Sequence, residues 1–198
     1  TLNRRRLAVD DLTDDPVSAN VATGGLRVWL RLDADKPAFD NLTQLRKGMA
    51  LLLDEQPAMV DVLICEKPES AAWMAELAAY VGLANGTPLP TRKKEEDPRP
   101  LADLRLWGSA FDTDRPRALA EGNLLARTLT ALPPNDLTPA AYRARIAEMA
   151  TAHGWAVEVF DLTRLRQMGA GAFVSVAQGS EADDAAIVRL SWLPPQAT

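Results

Sequence analysis

The chain of 198 residues has one cysteine, Cys65, and one histidine, His153. A single cysteine excludes an intrachain disulfide framework. Too few Cys and His remain for a zinc site built from them, which takes three or four ligands. A Cys–His nucleophile pair would have to use these two residues, far apart in sequence. Cys65 closes the apolar run 60–65, a setting that suits a buried structural thiol. The lack of disulfides makes a reducing cytoplasm the expected compartment. No apolar run approaches the roughly 18 residues of a membrane span. Residues 1–6 carry three arginines and no apolar segment follows, so no secretory leader is expected. Lysine is scarce: five in all, none beyond Lys94.

Net charge is −5, which argues against a nucleic-acid-binding surface. The basic clusters Arg4-Arg5-Arg6 and Arg92-Lys93-Lys94 are short, and Glu95-Glu96-Asp97 follows the second directly. Both read as solvated surface. With 47% hydrophobic and 25% charged residues the balance is that of a globular protein.

The first half alternates strand and helix signals. Residues 25–32 (GLRVWLRL) alternate with period two, and 59–66 (MVDVLICE) form a nearly continuous apolar run. The second run reads as a central strand covered on both faces. Leu42, Leu45, Met49, Leu52 and Leu53 stripe a helix over 39–54 that Pro57 ends. Ser70 is the expected N-cap of a helix over 71–81, and Gly82 its stop. A charged loop between Pro88 and Pro100 precedes a strand at 102–107. The expected core is Leu26, Val28, Leu30, Val60, Val62, Ile64, Trp73 and Leu77.

The second half opens with a helix to about Leu132, with Asp114 as N-cap and Pro116 in its first turn. One stripe, Ala118, Gly122, Leu125, Leu129 and Leu132, is rich in small residues. Pro133-Pro134 stops the helix, and Thr138-Pro139 begins the next, which ends at His153-Gly154. There a protonated imidazole would meet the negative end of the helix dipole. A strand over 155–160 follows, then a short helix that Asp161 caps and Gly169 ends. Residues 170–177 (AGAFVSVA) and 185–192 (AAIVRLSW) read as two buried strands joined by a polar turn at 179–184. The chain closes on a loop, 194–198.

No catalytic constellation appears. There is no phosphate-binding loop, no G-x-S-x-G elbow and no H-E-x-x-H helix. Gly169-Ala170-Gly171 follows a helix, whereas a phosphate loop follows a strand and opens one. The carboxylates after residue 115 are Glu121, Asp136, Glu148, Glu158, Asp161, Glu181, Asp183 and Asp184. Their contexts are caps, turns and exposed faces.

Residues 123–142, NLLARTLTALPPNDLTPAAY, resemble the entry to the catalytic domain of the leucine (cytosol) aminopeptidases, N-L-x-R-x-L-x-N-x-P-P-N-x-L-T-P-x-x-Y. Ala131 and Leu132 stand where that family often has Asn and Leu or Met. Residues 165–180, LRQMGAGAFVSVAQGS, resemble its L-x-x-L/M-G-M-G-A-x-L-x-V-x-Q-G-S, with Ala170 in place of a methionine. AAIVRLSW resembles the strand before the catalytic segment. The first 110 or so residues share only the general character of the family's variable N-terminal domain.

The resemblance implies an enzyme with two divalent metals, manganese or zinc, held by a lysine and carboxylates in segments like V-G-K-G-V-T-F-D-S/T-G-G and N-T-D-A-E-G-R. Neither segment occurs here, so no catalytic, cofactor-binding or metal-binding residue carries over to this chain. The resemblance implies an α/β fold, a three-layer sheet sandwiched by helices over residues 1–112. Residues 113–198 would be a linker helix and the incomplete beginning of the catalytic domain. The expected function is that of the N-terminal portion of a two-metal leucyl aminopeptidase that removes N-terminal amino acids from peptides. This portion would serve architecture and oligomerisation. Its partners would be the missing catalytic portion and, in a hexamer, further copies, with no nucleic acid or membrane. A non-catalytic α/β binding module with a peptidase-like tail is the alternative.

Overall fold

The computed structural model describes residues 8–13, 15–22, 24–91, 99–179 and 183–193. The arginine cluster at 4–6, most of the charged loop with Arg92 to Asp97, Glu181 and the closing segment 194–198 lie outside the described residues. By contacts the chain divides into two compact units, Thr1–Ala131 and Leu132–Thr198.

In the first unit, β1 (Val17–Asn20) and β2 (Leu26–Trp29) form an antiparallel hairpin with Val17 opposite Trp29. Next, β3 (Met59–Leu63) pairs in parallel with β4 (Asp103–Trp107), Met59 opposite Asp103 and Leu63 opposite Trp107. Helix α1 (Ala38–Leu53) precedes β3, and α2 (Pro68–Gly86) makes the crossover from β3 to β4. Parallel neighbours need such a crossover, because a two-residue turn cannot return the chain in the same direction. The core joins Leu45 and Met49 of α1, Ala78 and Val81 of α2, and Val60 of β3. Leu30, Val62, Ile64, Leu77, Leu104 and Leu106 pack around it. Helix α3 (Asp114–Ala131) lies against α2 through Pro116 and Ala120, both buried. Arg127 Nη1 adds a bond to the Ala84 carbonyl at 2.9 Å.

The second unit contains α4 (Pro139–His153), β5 (Ala156–Asp161), α5 (Leu162–Gln167), α6 (Gly171–Ala177) and β6 (Ala186–Ser191). Strands β5 and β6 pair antiparallel, Val157 opposite Leu190 and Phe160 opposite Ile187. The core is small: Leu162, Leu165 and Val174, with Phe160, Phe173 and Ala177 around them.

The α/β class is as expected, realised in small two-stranded sheets. Several element-level expectations change. Residues 170–177 are a helix, not a strand. The Gly169 turn, with φ of 73°, returns the chain, and Ala170 N donates to Leu165 O at 3.0 Å while Gly169 N donates to Arg166 O at 3.1 Å. This Schellman closure reverses the chain and starts a new helical turn. Phe173, Val174 and Ala177 then face Leu162 and Leu165. That spacing of one and four residues is helical, and a short apolar run cannot reveal it by itself.

Helix α2 begins at Pro68, with Lys67 in the cap position; Ser70 lies inside its first turn. Proline there presets φ and lacks the N–H that would go unpaired. Gly82 does not stop this helix. A Cβ on it would stand 2.5 Å from Leu104 Cδ2, so glycine lets β4 approach. At the start of α3, Asp112 Oδ1 accepts from Asp114 N at 2.9 Å, two residues ahead of the expected cap. Strand β3 is covered on one face only. Met59 and Leu63 are exposed, and so is Trp107 beside them. Likewise β6 is not buried: Ile187 and Leu190 are each 43% exposed. By contacts α3 groups with the first unit, because it packs on α2.

Candidate functional site

Among the described residues of the first unit, two clefts stand out. The larger, about 590 Å³, lies among α1, α2 and α3. Leu42, Trp73, Leu77 and Leu119 make it apolar, and Glu76, Tyr80, Arg115 and Asn123 bring its polar groups. Arg115 Nη1 forms an ion pair with Glu76 Oε1. The glutamate side chain is 21% exposed and the arginine 68%, so the pair sits at the rim, where water weakens it. Sequence reading did not anticipate this pair, since it spans two helices and no local spacing announces it.

The second cleft, about 460 Å³, runs from β2 to the end of β3. Leu30, Leu32, Leu45, Met49 and Val62 line its depth, and Arg31, Asp61, Cys65 and Glu66 line its mouth. Cys65 is exposed, against the expectation of a buried thiol, because it continues the uncovered face of the strand that carries Met59, Asp61 and Leu63, while Val60, Val62 and Ile64 face the core. No base adjoins it. The only histidine is in the other unit, where it stacks on Trp155 with ring centroids 4.8 Å apart. Asp61 Oδ1 accepts from Trp107 Nε1 at 2.9 Å, a cross-strand bond on the open face. Neither cleft contains a histidine to serve as base beside a nucleophile.

Several carboxylates of the second half have structural partners. Glu158 pairs with Arg164 at 2.7 Å through one oxygen and with Arg189 at 3.1 Å through the other. Arg164 also lies over the Phe160 ring at 4.1 Å. Asp161 Oδ1 accepts from Arg164 N at 2.8 Å and caps α5 as expected. Asp183 pairs with Arg166 at 3.5 Å, and Asp184 Oδ2 accepts from Ala140 N at 3.0 Å. Glu121 and Glu148 face solvent. Among the described residues no group of three or more His, Cys, Asp or Glu is placed to hold a metal ion. Nor is any described helix long and apolar enough to cross a membrane.

The recognisable motifs perform structural work. Asn123 to Ala131 finish α3. Pro133 O then accepts from Asp136 N and Leu137 N, at 2.9 and 3.1 Å, to close the turn. Thr138 Oγ1 accepts from Ala141 N at 3.2 Å and caps α4, with Pro139 in its first position. At the far end Gly154 takes a left-handed conformation, φ 68°, and Trp155 N donates to Ala150 O at 2.8 Å.

Comparison with known proteins agrees with this pattern. The profile of the cytosol aminopeptidase family, catalytic domain, matches residues 124–198. A probable cytosol aminopeptidase of Methylorubrum extorquens is 40% identical over 106 residues, 52% of this chain and 21% of the relative. One from Roseiflexus castenholzii is 31% identical over 166 residues, 76% of this chain and 34% of the relative. The chain thus spans about a third or less of the lengths of these relatives. Two solved structures share the fold. The bottromycin maturation enzyme BotP in complex with Mn superposes with a TM-score of 0.74 at 23% identity, covering 98% of this chain and 42% of that one. A mutant of tomato leucine aminopeptidase gives 0.72 at 16% identity, covering 92% of this chain and 39% of that one. In sequence and in fold, therefore, the chain belongs to the cytosol (leucine) aminopeptidase family.

Proposed function

We propose that this chain is the N-terminal portion of a two-metal leucyl aminopeptidase, which removes N-terminal amino acids from peptides in the cytoplasm. Its own role is architectural: it packs apolar faces, places the catalytic part and contributes oligomer contacts, in a hexamer by family resemblance. Residues 1–112 serve as the variable N-terminal domain, and 113–198 as the linker helix and start of the catalytic domain. The observation that carries this reading is the 166-residue similarity to the Roseiflexus protein, which runs through both halves of the chain.

The complete enzyme would use two divalent ions, manganese or zinc. The described residues of this chain do not fit such a centre. No metal-holding group stands among the described residues, and no lysine follows Lys94. No catalytic step is therefore assigned to them.

The test is an assay of leucyl-amide hydrolysis with added Mn²⁺ or Zn²⁺. The purified chain alone should be inactive. Mixed with a polypeptide that carries the remainder of a relative's catalytic domain, it should restore activity. Hydrolysis by the chain alone, abolished by a chelator, would overturn the assignment.

A further inference from the structure

We propose that the cleft between β2 and β3 takes an extended segment of another polypeptide as an added strand, hydrogen-bonded to both walls and apolar at alternate positions. The inference goes beyond the aminopeptidase reading and does not depend on it.

The walls are two free strand edges. β2 and β3 belong to separate two-stranded sheets, and among the described residues no backbone hydrogen bond joins them. Each is paired on its far side, β2 with β1 and β3 with β4. In an antiparallel ladder bonded and non-bonded pairs alternate. Val21 N donates to Gly25 O at 2.9 Å, which makes Arg27 and Trp29 the bonded residues of β2. The N–H and C=O groups of Val28 and Leu30 therefore point away from β1. The parallel ladder has the same period of two. Asp103 N donates to Ala58 O at 3.1 Å and Ile64 N to Trp107 O at 2.9 Å, so the even-numbered residues of β3 bond to β4. The main-chain groups of Asp61 and Leu63 point the other way. Val28, Leu30, Asp61 and Leu63 all line the cleft.

These groups state the chemistry of the occupant. A free edge is a template for another strand, and proteins guard such edges with lysine or proline. Segments 26–30 and 59–63 contain neither. An extended peptide directs successive N–H and C=O pairs to opposite sides, so a single strand satisfies both walls at once. Its side chains alternate as well. One set meets the floor, where Leu45, Met49, Met74 and Ala78 are buried and apolar. The charged groups at the mouth already have partners. Arg31 pairs with Asp10, Asp61 accepts from Trp107 Nε1, and Glu66 Oε1 accepts from Lys67 N at 2.8 Å. Selection thus falls to the main chain and the floor. The volume, about 460 Å³, lies within the range of roughly 300–1,000 Å³ usual for ligand sites.

The probe is a capped peptide of alternating valine and threonine, about six residues long, the length of a short strand. Titrated into the full chain, it should bind saturably by calorimetry. Hydrogen exchange in the complex should slow at Val28, Leu30, Asp61 and Leu63 by at least about tenfold more than at Trp29 and Val62, whose amides already lie in ladders. Methylating alternate amide nitrogens of the peptide blocks one wall, and methylating the other set blocks the opposite wall. Each set should weaken binding at least about tenfold, because each removes bonds and leaves acceptors unpaired. Absence of saturable binding, protection spread evenly over the four strands, one methylated set tolerated, or binding that survives both sets would overturn the proposal.

Discussion

Two glycines predict opposite effects of the same substitution. Gly108 follows β4 with φ of 93°, a region that L side chains rarely adopt. A Cβ there would run into the Ile64 carbonyl oxygen, a backbone atom that cannot swing aside. The two chains are joined at this point, since Ile64 N donates to Trp107 O at 2.9 Å. Strain of this kind costs on the order of 1–3 kcal/mol before any overlap is counted. Overlap with the backbone at the end of β3 and β4 brings the expected loss for Gly108→Ala to about 3 kcal/mol or more. That is a large share of the roughly 5–15 kcal/mol available to a folded domain.

Gly122→Ala has neither problem. The site is open, φ is helical, and alanine is the better helix former by about 0.8–1 kcal/mol. Urea unfolding of each variant, at concentrations that keep the chain monomeric, measures both. With a slope of about 2 kcal/mol per molar urea, Gly108→Ala should lower the midpoint by roughly 1.5 M and Gly122→Ala should raise it by roughly 0.4 M. Hydrogen exchange should place the loss in β3 and β4. A Gly108→Ala protein within about 1 kcal/mol of the parent would refute the close approach at Ile64.

Three further outcomes follow from the contacts. Asn41 is 2% exposed; its Nδ2 donates to Asp33 O and its Oδ1 accepts from Asp33 N, both at 2.8 Å. Asn41→Leu should cost about 2–4 kcal/mol by leaving the Asp33 groups unpaired, read as a lowered urea midpoint. Leu165→Ala should cost about 2–5 kcal/mol and lower the thermal midpoint of the second unit, where it packs in a small cluster with Leu162 and Val174. Asp161→Ala should cost about 1 kcal/mol by removing the cap on α5, seen as faster amide exchange at Arg164, whereas Asp161→Asn should cost much less.

What the sequence made legible was local. The Thr138-Pro139 start and Gly154 end of α4, the Asp161 cap and the stop at Gly169 all appear where the residues place them. Each rests on one side chain meeting a nearby backbone group, or on a glycine that accepts positive φ. Errors arose where the decision belongs to a distant element. Gly82 looked like a helix end because its true reason, the approach of Leu104, lies in β4. Residues 170–177 looked like a strand because valines and phenylalanine favour both environments. Only the packing of Phe173 and Val174 on Leu162 and Leu165 decides the matter. The hairpin strand β1 went unread, since VSAN is short and carries a single large apolar side chain.

The candidate site was legible chiefly as a gap. Family motifs stand out because turns and caps fix residue types at fixed spacing, and those motifs prove to be the turns and caps of α3 to α6. The strand β6 is where sequence and structure disagree most usefully. Its run AAIVRLSW is written for burial, yet Ile187 and Leu190 are 43% exposed, Trp192 66% and Leu193 82%. In the same unit Val157 and Val159 of β5 are also open, at 39% and 41%. Burial of an aliphatic side chain contributes about 1.5–3 kcal/mol, so a strand with this composition gains little from being half solvated. Under the function proposed above, that composition has a direct reason. The Roseiflexus relative is matched over only 34% of its length, and under the proposal the remainder would be the polypeptide that covers such a face. Under that proposal the composition of β6 suits a covered strand, a cover that the described residues of this chain do not supply.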